Sequence, residues 1–276
     1  MIIIQLMIAI VDIGGGFGNQ LFQYSFATKL KSCGYKVYMN DPEKINYFDG
    51  NSINLGKSES ITQKTYQMLS KNNIFKKYYC NYFDNNSDLK NVFNNTHKKS
   101  VLFFNGYWQR KEYVVGNEIE IQSMINNSYE RLKLPEVEKN NPESALIHVR
   151  RGDYVKNGET LSLDYYEKSI NYLLDKKIKK FHIFTDDSNW VKKQTIFSKA
   201  AYIEETPQDP RNYDNTFKTF YKMQKFQNFI IANSSFSWWA ARLSNSISTK
   251  VLSPKPFYLK PNNQDLSISG WKYIER

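Results

Sequence analysis

Gly14-Gly15-Gly16-Phe17-Gly18-Asn19-Gln20 follows an apolar run at residues 1–13 and precedes Leu21, Phe22, Tyr24, Phe26, Ala27 and Leu30, which fall at mixed helical spacing. Gly34 ends that periodicity, and residues 37–39 supply a second strand. The order strand, glycine turn, helix, strand is the start of a βαβ unit. Such units build parallel sheets whose ligands bind outside the carboxyl ends of the strands. The loop is not a dinucleotide fingerprint, because Asn19 stands where the third glycine belongs, and it is not a P-loop, because Lys-Ser/Thr is absent. It still offers backbone N–H groups and a helix N-terminus to an anion or a sugar, with Asn19 and Gln20 adding amide donors. A plain strand-to-helix turn is the alternative.

Outward from this unit the chain is uneven. Residues 41–95 are polar, Tyr-rich and weakly periodic, suited to surface elements and acceptor-specific insertions. Residues 101–104 form a strand leading into Asn105-Gly106-Tyr107-Trp108-Gln109. The segment at 135–142 is polar and bracketed by Pro135 and Pro142, which marks a linker and places a domain boundary near residue 140. Beyond it, strands at 145–149, 181–185, 201–203 and 229–232 alternate with helices at 164–174, 217–226 and from 237. This is the pattern of a second α/β unit. The expected division is therefore 1–140 and 141–276.

Length and composition agree. The 276 residues are 41% hydrophobic and 24% charged, ordinary globular usage that excludes disordered, collagen-like and disulfide-scaffold proteins. Cys33 and Cys80 allow one disulfide at most, which favours a reducing compartment and a cytoplasmic protein. The apolar start is shorter than the roughly 20 residues of a membrane span and carries Asp12, so it reads as a buried strand. The net charge of +11 comes from 31 Lys and only 7 Arg alongside 29 Asn, a bias spread over the surface. Phosphate recognition favours the Arg fork, so nucleic-acid binding is not expected. The basic surface permits peripheral contact with the inner face of an anionic membrane.

Three further stretches carry chemistry. His148-Val149-Arg150-Arg151-Gly152-Asp153-Tyr154 ends the first strand of the second unit and holds two of the seven arginines. His148 and Arg150 share a face of the strand, while Arg151 points elsewhere. An Arg at this position can clamp a diphosphate and neutralise the charge on a leaving group, whereas Asp153 can orient an arginine by salt bridge. Phe184-Thr185-Asp186-Asp187-Ser188 follows another strand, where the aspartates suit a metal, a base or ribose, or a helix N-cap. No second cluster of hard oxygen ligands completes a metal site. Ala232-Asn233-Ser234-Ser235-Phe236-Ser237-Trp238-Trp239 runs from a strand into a helix whose N-terminus makes a phosphate seat, with the tryptophans suited to packing.

Taken in order, residues 16–24, His148 to Tyr154, Thr185-Asp186-Asp187 and the stretch 233–239 resemble glycosyltransferase family 11, the α-1,2-fucosyltransferases, over nearly the whole chain. Residues 105–109 resemble the family's aromatic segment before the linker. The resemblance implies a GT-B fold of two Rossmann-like domains facing across a cleft, with acceptor held by the N-terminal domain and GDP-fucose by the C-terminal one. It also implies transfer of L-fucose from GDP-β-L-fucose to the 2-hydroxyl of a galactose-type acceptor with inversion, without metal or other cofactor. In that reading Arg150 binds the donor diphosphate, with His148, Arg151 and Asp153 shaping its site. Gly18, Asn19 and Gln20 reach the donor from the other domain, Asp186 contacts the nucleoside, and Ser234, Ser235 and Phe236 seat the phosphates. Arg150, Asp153 and Asn19 are the catalytic candidates, and Tyr107 and Trp108 are the acceptor-binding ones. The alternatives are a fucosyltransferase of α-1,6 or O-linked specificity and a non-catalytic carbohydrate-binding protein, the latter suggested by 16% aromatics and the Arg151-Gly152-Asp153 tripeptide.

Overall fold

The apolar run ahead of the glycine loop contains strand β1, Ile8–Asp12, buried in all but its first residue. Strands buried on both faces belong to parallel sheets, and β1 pairs parallel with β2, Lys36–Asn40, and with Val101–Phe104. The computed structural model describes residues 7–40, 47–48, 80–94, 101–136, 141–209, 212–244, 249–259 and 265–276. Contacts divide the chain into one unit of Met1–Ser128 with Asn262–Leu266 and a second of Tyr129–Pro261 with Ser267–Arg276.

In the first unit, β1 passes through the glycine loop into helix α1, Phe17–Ser32. Gly15 and Gly34 take positive φ values of 73° and 90° on either side of the helix, a region that costs other residues strain. Most of the region expected to be weakly structured lies outside the described residues, but its described end carries strand β3, Cys80–Phe83, and the short helix α2, Lys90–Phe93. Val101–Phe104 is β4, which pairs parallel with both β1 and β3 and completes a sheet of order β2-β1-β4-β3. Helix α3, Glu118–Arg131, follows. An aromatic core fills the unit, with Phe26 stacked on Trp108 at 4.4 Å and edge-on to Phe104 and Tyr113.

The division falls between Ser128 and Tyr129, upstream of the boundary expected near 140. Tyr129 sits 4.6 Å from the ring of Tyr221 and bonds Gln224, so the last turn of α3 packs with the second unit. Residues 137–140 of the expected linker lie outside the described residues. The later segment 262–266 belongs with the first unit, and Asp265 there accepts the Lys111 backbone N–H at 2.7 Å.

The second unit begins with β5, Ser144–Val149, six buried residues. It continues through α4 (Gly152–Asn157), α5 (Leu163–Asp175), β6 (Lys180–Thr185), α6 (Ser188–Lys192), β7 (Tyr202–Glu205), α7 (Tyr213–Met223), β8 (Asn228–Ile230), α8 (Ser235–Arg242), β9 (Lys250–Lys255) and β10 (Lys272–Glu275). Every described pairing is parallel, and the order is β10-β9-β8-β5-β6-β7. Renumbered within the unit this is 6-5-4-1-2-3, the order of a doubly wound Rossmann sheet. Ser162 caps α5 by accepting the Tyr165 N–H, and the buried Tyr165 hydroxyl bonds Ile231 O at 2.7 Å, fixing helix to sheet. Strands β9 and β10 had no expectation in the sequence, because Pro254 interrupts one and the other is half-exposed. Pro254 lies past the last β8–β9 pair, Ile230 with Leu252, so its missing N–H costs that ladder nothing. Among the described residues no helix is long and apolar enough to cross a membrane.

Candidate active site

The strand order of the second unit reverses between β5 and β8. From β5 the chain moves outward to β6 and β7, then returns to place β8 on the other side. Ligands of such sheets bind outside the carboxyl strand ends at this switch point. The two strands that flank it deliver residues 148–154 and 232–236, two stretches singled out from the sequence alone. Tyr154 spans the gap, its hydroxyl donating to Asn233 O at 3.0 Å. Burial raises the Tyr154 pKa to about 12, so it acts as a neutral donor.

Arg150 stands just past the end of β5 with its side chain 26% exposed. Nη2 donates to Asp153 Oδ1 at 2.7 Å, and Nη1 lies 3.0 Å from Oδ2 of Asp186, a fully enclosed carboxylate at the end of β6. The second contact is an ion pair without an aligned hydrogen bond, so Asp186 Oδ2 keeps an unfilled acceptor position. Asp186 Oδ1 accepts the Arg151 backbone N–H at 2.7 Å. Gly152 makes this approach practicable, since a Cβ there would sit 2.7 Å from Asp186 Oδ2. Arg151 serves a different purpose. Its guanidinium lies 3.9 Å from the Trp190 ring centroid and its Nε bonds Asp187 Oδ2 at 3.0 Å, while Asp187 also caps α6 through Trp190 N.

His148 is 2% exposed, and its Nδ1 is buried with no hydrogen-bond partner. Desolvation, reinforced by the charge of Arg150, lowers its pKa to about 3. The ring is neutral at ordinary pH and packs near Phe236, with centroids 6.3 Å apart. Phe236, half-buried in the first turn of α8, also meets Phe220 at 5.3 Å. Ser234 is the N-cap of α8 with no side-chain cap bond, and the first-turn N–H groups have no helical acceptor ahead of them. Trp238 and Trp239 are fully buried, as packing residues. Arg276 braces the floor of this region. It pairs with Glu159 at 3.1 Å, and Asn233 Nδ2 donates to Glu159 O at 2.8 Å.

In the first unit the glycine loop is tied down from within. Gln23 takes Gly14 N–H on its carbonyl and donates to Gly106 O at 2.9 Å. Gln20, fully buried, donates to Gly15 O and accepts Tyr47 N–H. Asn19 is half-buried, its Oδ1 held by Gln109 Nε2 at 2.7 Å. A pocket of about 420 Å3 opens at the carboxyl ends of β1, β3 and β4, lined by Asp12, Gly15, Asn85, Asn105 and Tyr107 among others.

The sequence matches the family model for glycosyl transferase family 11 over residues 8–275. The chain belongs to glycosyltransferase family 11. Over 98% of its length this glycosyltransferase is 28% identical to the full length of an Escherichia coli α-1,2-colitosyltransferase. Over 94% it is 25% identical to 98% of WbnK, an O-antigen biosynthesis glycosyltransferase of the same organism. Among solved structures, an Arabidopsis thaliana FUT1 mutant in complex with GDP matches with a TM-score of 0.52 at 10% identity, covering 87% of this chain and 69% of that one. The fold is GT-B, with one parallel α/β sheet in each unit.

Against that fold, the expected donor residues of the second unit, His148, Arg150, Arg151, Asp186, Ser234, Ser235 and Phe236, gather at one end of one sheet. Several differ in role from the expectation. Gln20 and Gly18 are buried parts of α1, and both polar ends of Gln20 serve the loop itself. Trp108 is corrected as an acceptor contact: in a left-handed conformation with φ 53°, its indole is 3% exposed and stacked inside the core on Phe26. Tyr107 beside it is 41% exposed at the pocket. Tyr154, Gly152 and Glu159 are missed as site residues. For Gly152 the signal was a glycine directly after paired arginines, the others showing no pattern.

Proposed function

We propose that this glycosyltransferase moves an L-fucose-type 6-deoxyhexose from its GDP derivative to the 2-hydroxyl of a galactose-type acceptor, giving an α-1,2 linkage with inversion. The observation that carries the reading is the Arg150 guanidinium, held by Asp186 and Asp153 at the switch point and flanked by the N-terminus of α8. That is a seat for a diphosphate leaving group. The acceptor oxygen attacks the anomeric carbon as the bond from that carbon to the β-phosphate oxygen breaks. The electron pair leaves with GDP, where Arg150 and the helix N–H groups neutralise the growing charge, and the hydroxyl proton passes to a base or to solvent. The amide-rich pocket of the first unit, with exposed Tyr107, suits a neutral polyhydroxylated acceptor. Asn19, held by Gln109 at the start of α1, is the catalytic candidate of that unit.

The similarity to an α-1,2-colitosyltransferase favours one second reading, in which the donor is GDP-colitose, whose sugar lacks the 3-hydroxyl of fucose. No divalent ion is required in this mechanism. Asp186 and Asp187 are instead engaged by Arg150 and Arg151. The basic surface supplies attraction to an anionic membrane carrying the acceptor.

The deciding experiment supplies GDP-fucose and GDP-colitose with galactose-terminated acceptors, with and without EDTA, and determines product linkage. Transfer to the 2-hydroxyl that survives EDTA is expected. A product of other linkage refutes the α-1,2 assignment, loss of turnover in EDTA refutes the metal-free mechanism, and failure to bind GDP refutes the donor class.

A further inference from the structure

Asn233, in the turn between β8 and α8, is fully buried and joined by two hydrogen bonds to the segment that follows Arg150. The Tyr154 hydroxyl donates to its backbone O at 3.0 Å, and its Nδ2 donates to Glu159 O at 2.8 Å. Tyr154 lies in α4 and Glu159 follows the left-handed cap of that helix, Gly158, so one bond reaches the helix and the other the chain leaving it. The turn continues through Ser234 into α8. Asn233 therefore couples the mounting of Arg150 to that of the first-turn N–H groups of α8. Glu159 is itself held in place. Arg276 donates through Nη2 to its carbonyl at 2.8 Å and through Nη1 to Oε2 at 3.1 Å, and the Leu259 N–H reaches the same carboxylate at 3.2 Å. Stability alone does not account for an asparagine here. Its Oδ1 is buried with no hydrogen-bond partner, and a lone buried acceptor costs free energy. Because Glu159 O also accepts from Arg276, it keeps a partner when the Asn233 amide is removed. An apolar side chain of the same shape would thus remove one orphaned group and create none.

We propose that Asn233 is a positioning residue for donor binding, fixing the N-terminus of α8 relative to Arg150 so that the two act on one diphosphate. The inference rests on the donor reading above and adds what sets the spacing of the seat. A seat built from one guanidinium and one helix terminus holds two phosphoryl groups well only if their separation is fixed before the ligand arrives. Each part stands on its own loop after a strand, and loops move more than the strands they leave. Two hydrogen bonds to a single buried residue remove that freedom. A ligand with one phosphoryl group is served by either part alone and does not sense the spacing. A diphosphate does, so loss of the clamp falls on the second phosphate.

The probes are GDP and GMP, titrated calorimetrically against the full chain, with urea unfolding run alongside. Asn233→Leu keeps the branched shape and removes the amide. It is expected to lower the ratio of GDP affinity to GMP affinity by about three- to tenfold, the scale of one hydrogen bond, without lowering the urea midpoint. Tyr154→Phe removes only the hydroxyl, leaving the ring that lies 5.5 Å from Arg150 Cζ. The same direction of change is expected there, which decides the question from the other side of the clamp even if Asn233→Leu fails to fold. The double variant should lose more than the product of the two single losses, because each bond restrains the turn when the other is gone. If the single variants weaken GDP and GMP equally, or change neither, the positioning role is overturned while the donor reading stands. Wild type that binds no GDP overturns both.

Discussion

Arg150 and Asp186 meet at 3.0 Å across the ends of β5 and β6, with the carboxylate fully enclosed and the guanidinium 26% exposed. The aspartate therefore holds the arginine from behind while the open side faces solvent. Arg150→Ala is expected to lower kcat by about 100- to 1,000-fold or more, the scale of losing one preorganised charge stabiliser. Arg150→Lys should stay severely impaired, because a point charge lacks the fork. Asp186 would lose one of its two partners in the alanine variant, a stability cost of about 1–3 kcal/mol that urea titration can measure. Near-wild-type turnover in either variant would remove Arg150 from the mechanism.

Gly152 permits that pair to form. Since a Cβ would lie 2.7 Å from Asp186 Oδ2, Gly152→Ala must displace the carboxylate. The backbone of Gly152 is not left-handed, so the penalty is steric contact alone. The expected result is at least a tenfold loss of kcat/KM with about 1–3 kcal/mol of destabilisation, the usual scale of overpacking. An alanine variant with unchanged kinetics would show that Asp186 need not hold Arg150 in place.

Much of this was readable in the sequence because local rules and tertiary structure agree there. Val101–Phe104 matches the expected strand to the residue, since a short apolar run between polar segments has little latitude. The glycine loop, β5 and the helix after Ser234 were legible for the same reason. Strand β3 was not, because Tyr82 is 48% exposed and, among the described strands, β3 pairs only with β4, so no apolar pattern announces it. Trp108 misled because an aromatic after an exposed Tyr107 resembles a ligand platform, and only the packing of Phe26 shows where the indole goes.

Arg151 looks equivalent to Arg150 in the sequence, but it is placed between Trp190 and Asp187. Arg151→Ala should therefore act first on stability, by about 1–3 kcal/mol, through the lost cation–π contact and ion pair. Affinity for GDP, measured at a temperature where the variant is folded, is expected to fall less than for Arg150→Ala. If the two variants rank the other way, Arg151 touches the diphosphate and Arg150 does not.

Asp153 is a poor candidate for the base that accepts the acceptor proton. Its side chain is 59% exposed and already bonded to Arg150 at 2.7 Å, an arrangement that favours a carboxylate aligning a cation. Asp153→Asn keeps an oxygen acceptor for Arg150. It is expected to retain activity within about tenfold, whereas loss of a general base typically costs 100- to 10,000-fold. The pH–kcat profile separates the possibilities: an unchanged acid limb fits alignment, and loss of that limb together with a collapse of kcat would make Asp153 the base after all.

His148 links the same site to stability. Its folded pKa of about 3 lies below the ordinary histidine value of 6.5, so between those limits the unfolded chain binds a proton that the native state refuses. Stability from this group is complete above about pH 6.5 and declines as the pH falls toward 3. One proton of difference corresponds to a slope approaching about 1.4 kcal/mol per pH unit. His148→Gln removes the titration at similar volume, though it disturbs packing against Phe236 and lowers stability at neutral pH. The informative quantity is therefore the difference in slope: urea unfolding at pH 7, 6 and 5 should show wild type losing stability faster than the variant as the pH drops. Parallel curves would mean that the imidazole gains a proton in the native state, and with it a charge near Arg150.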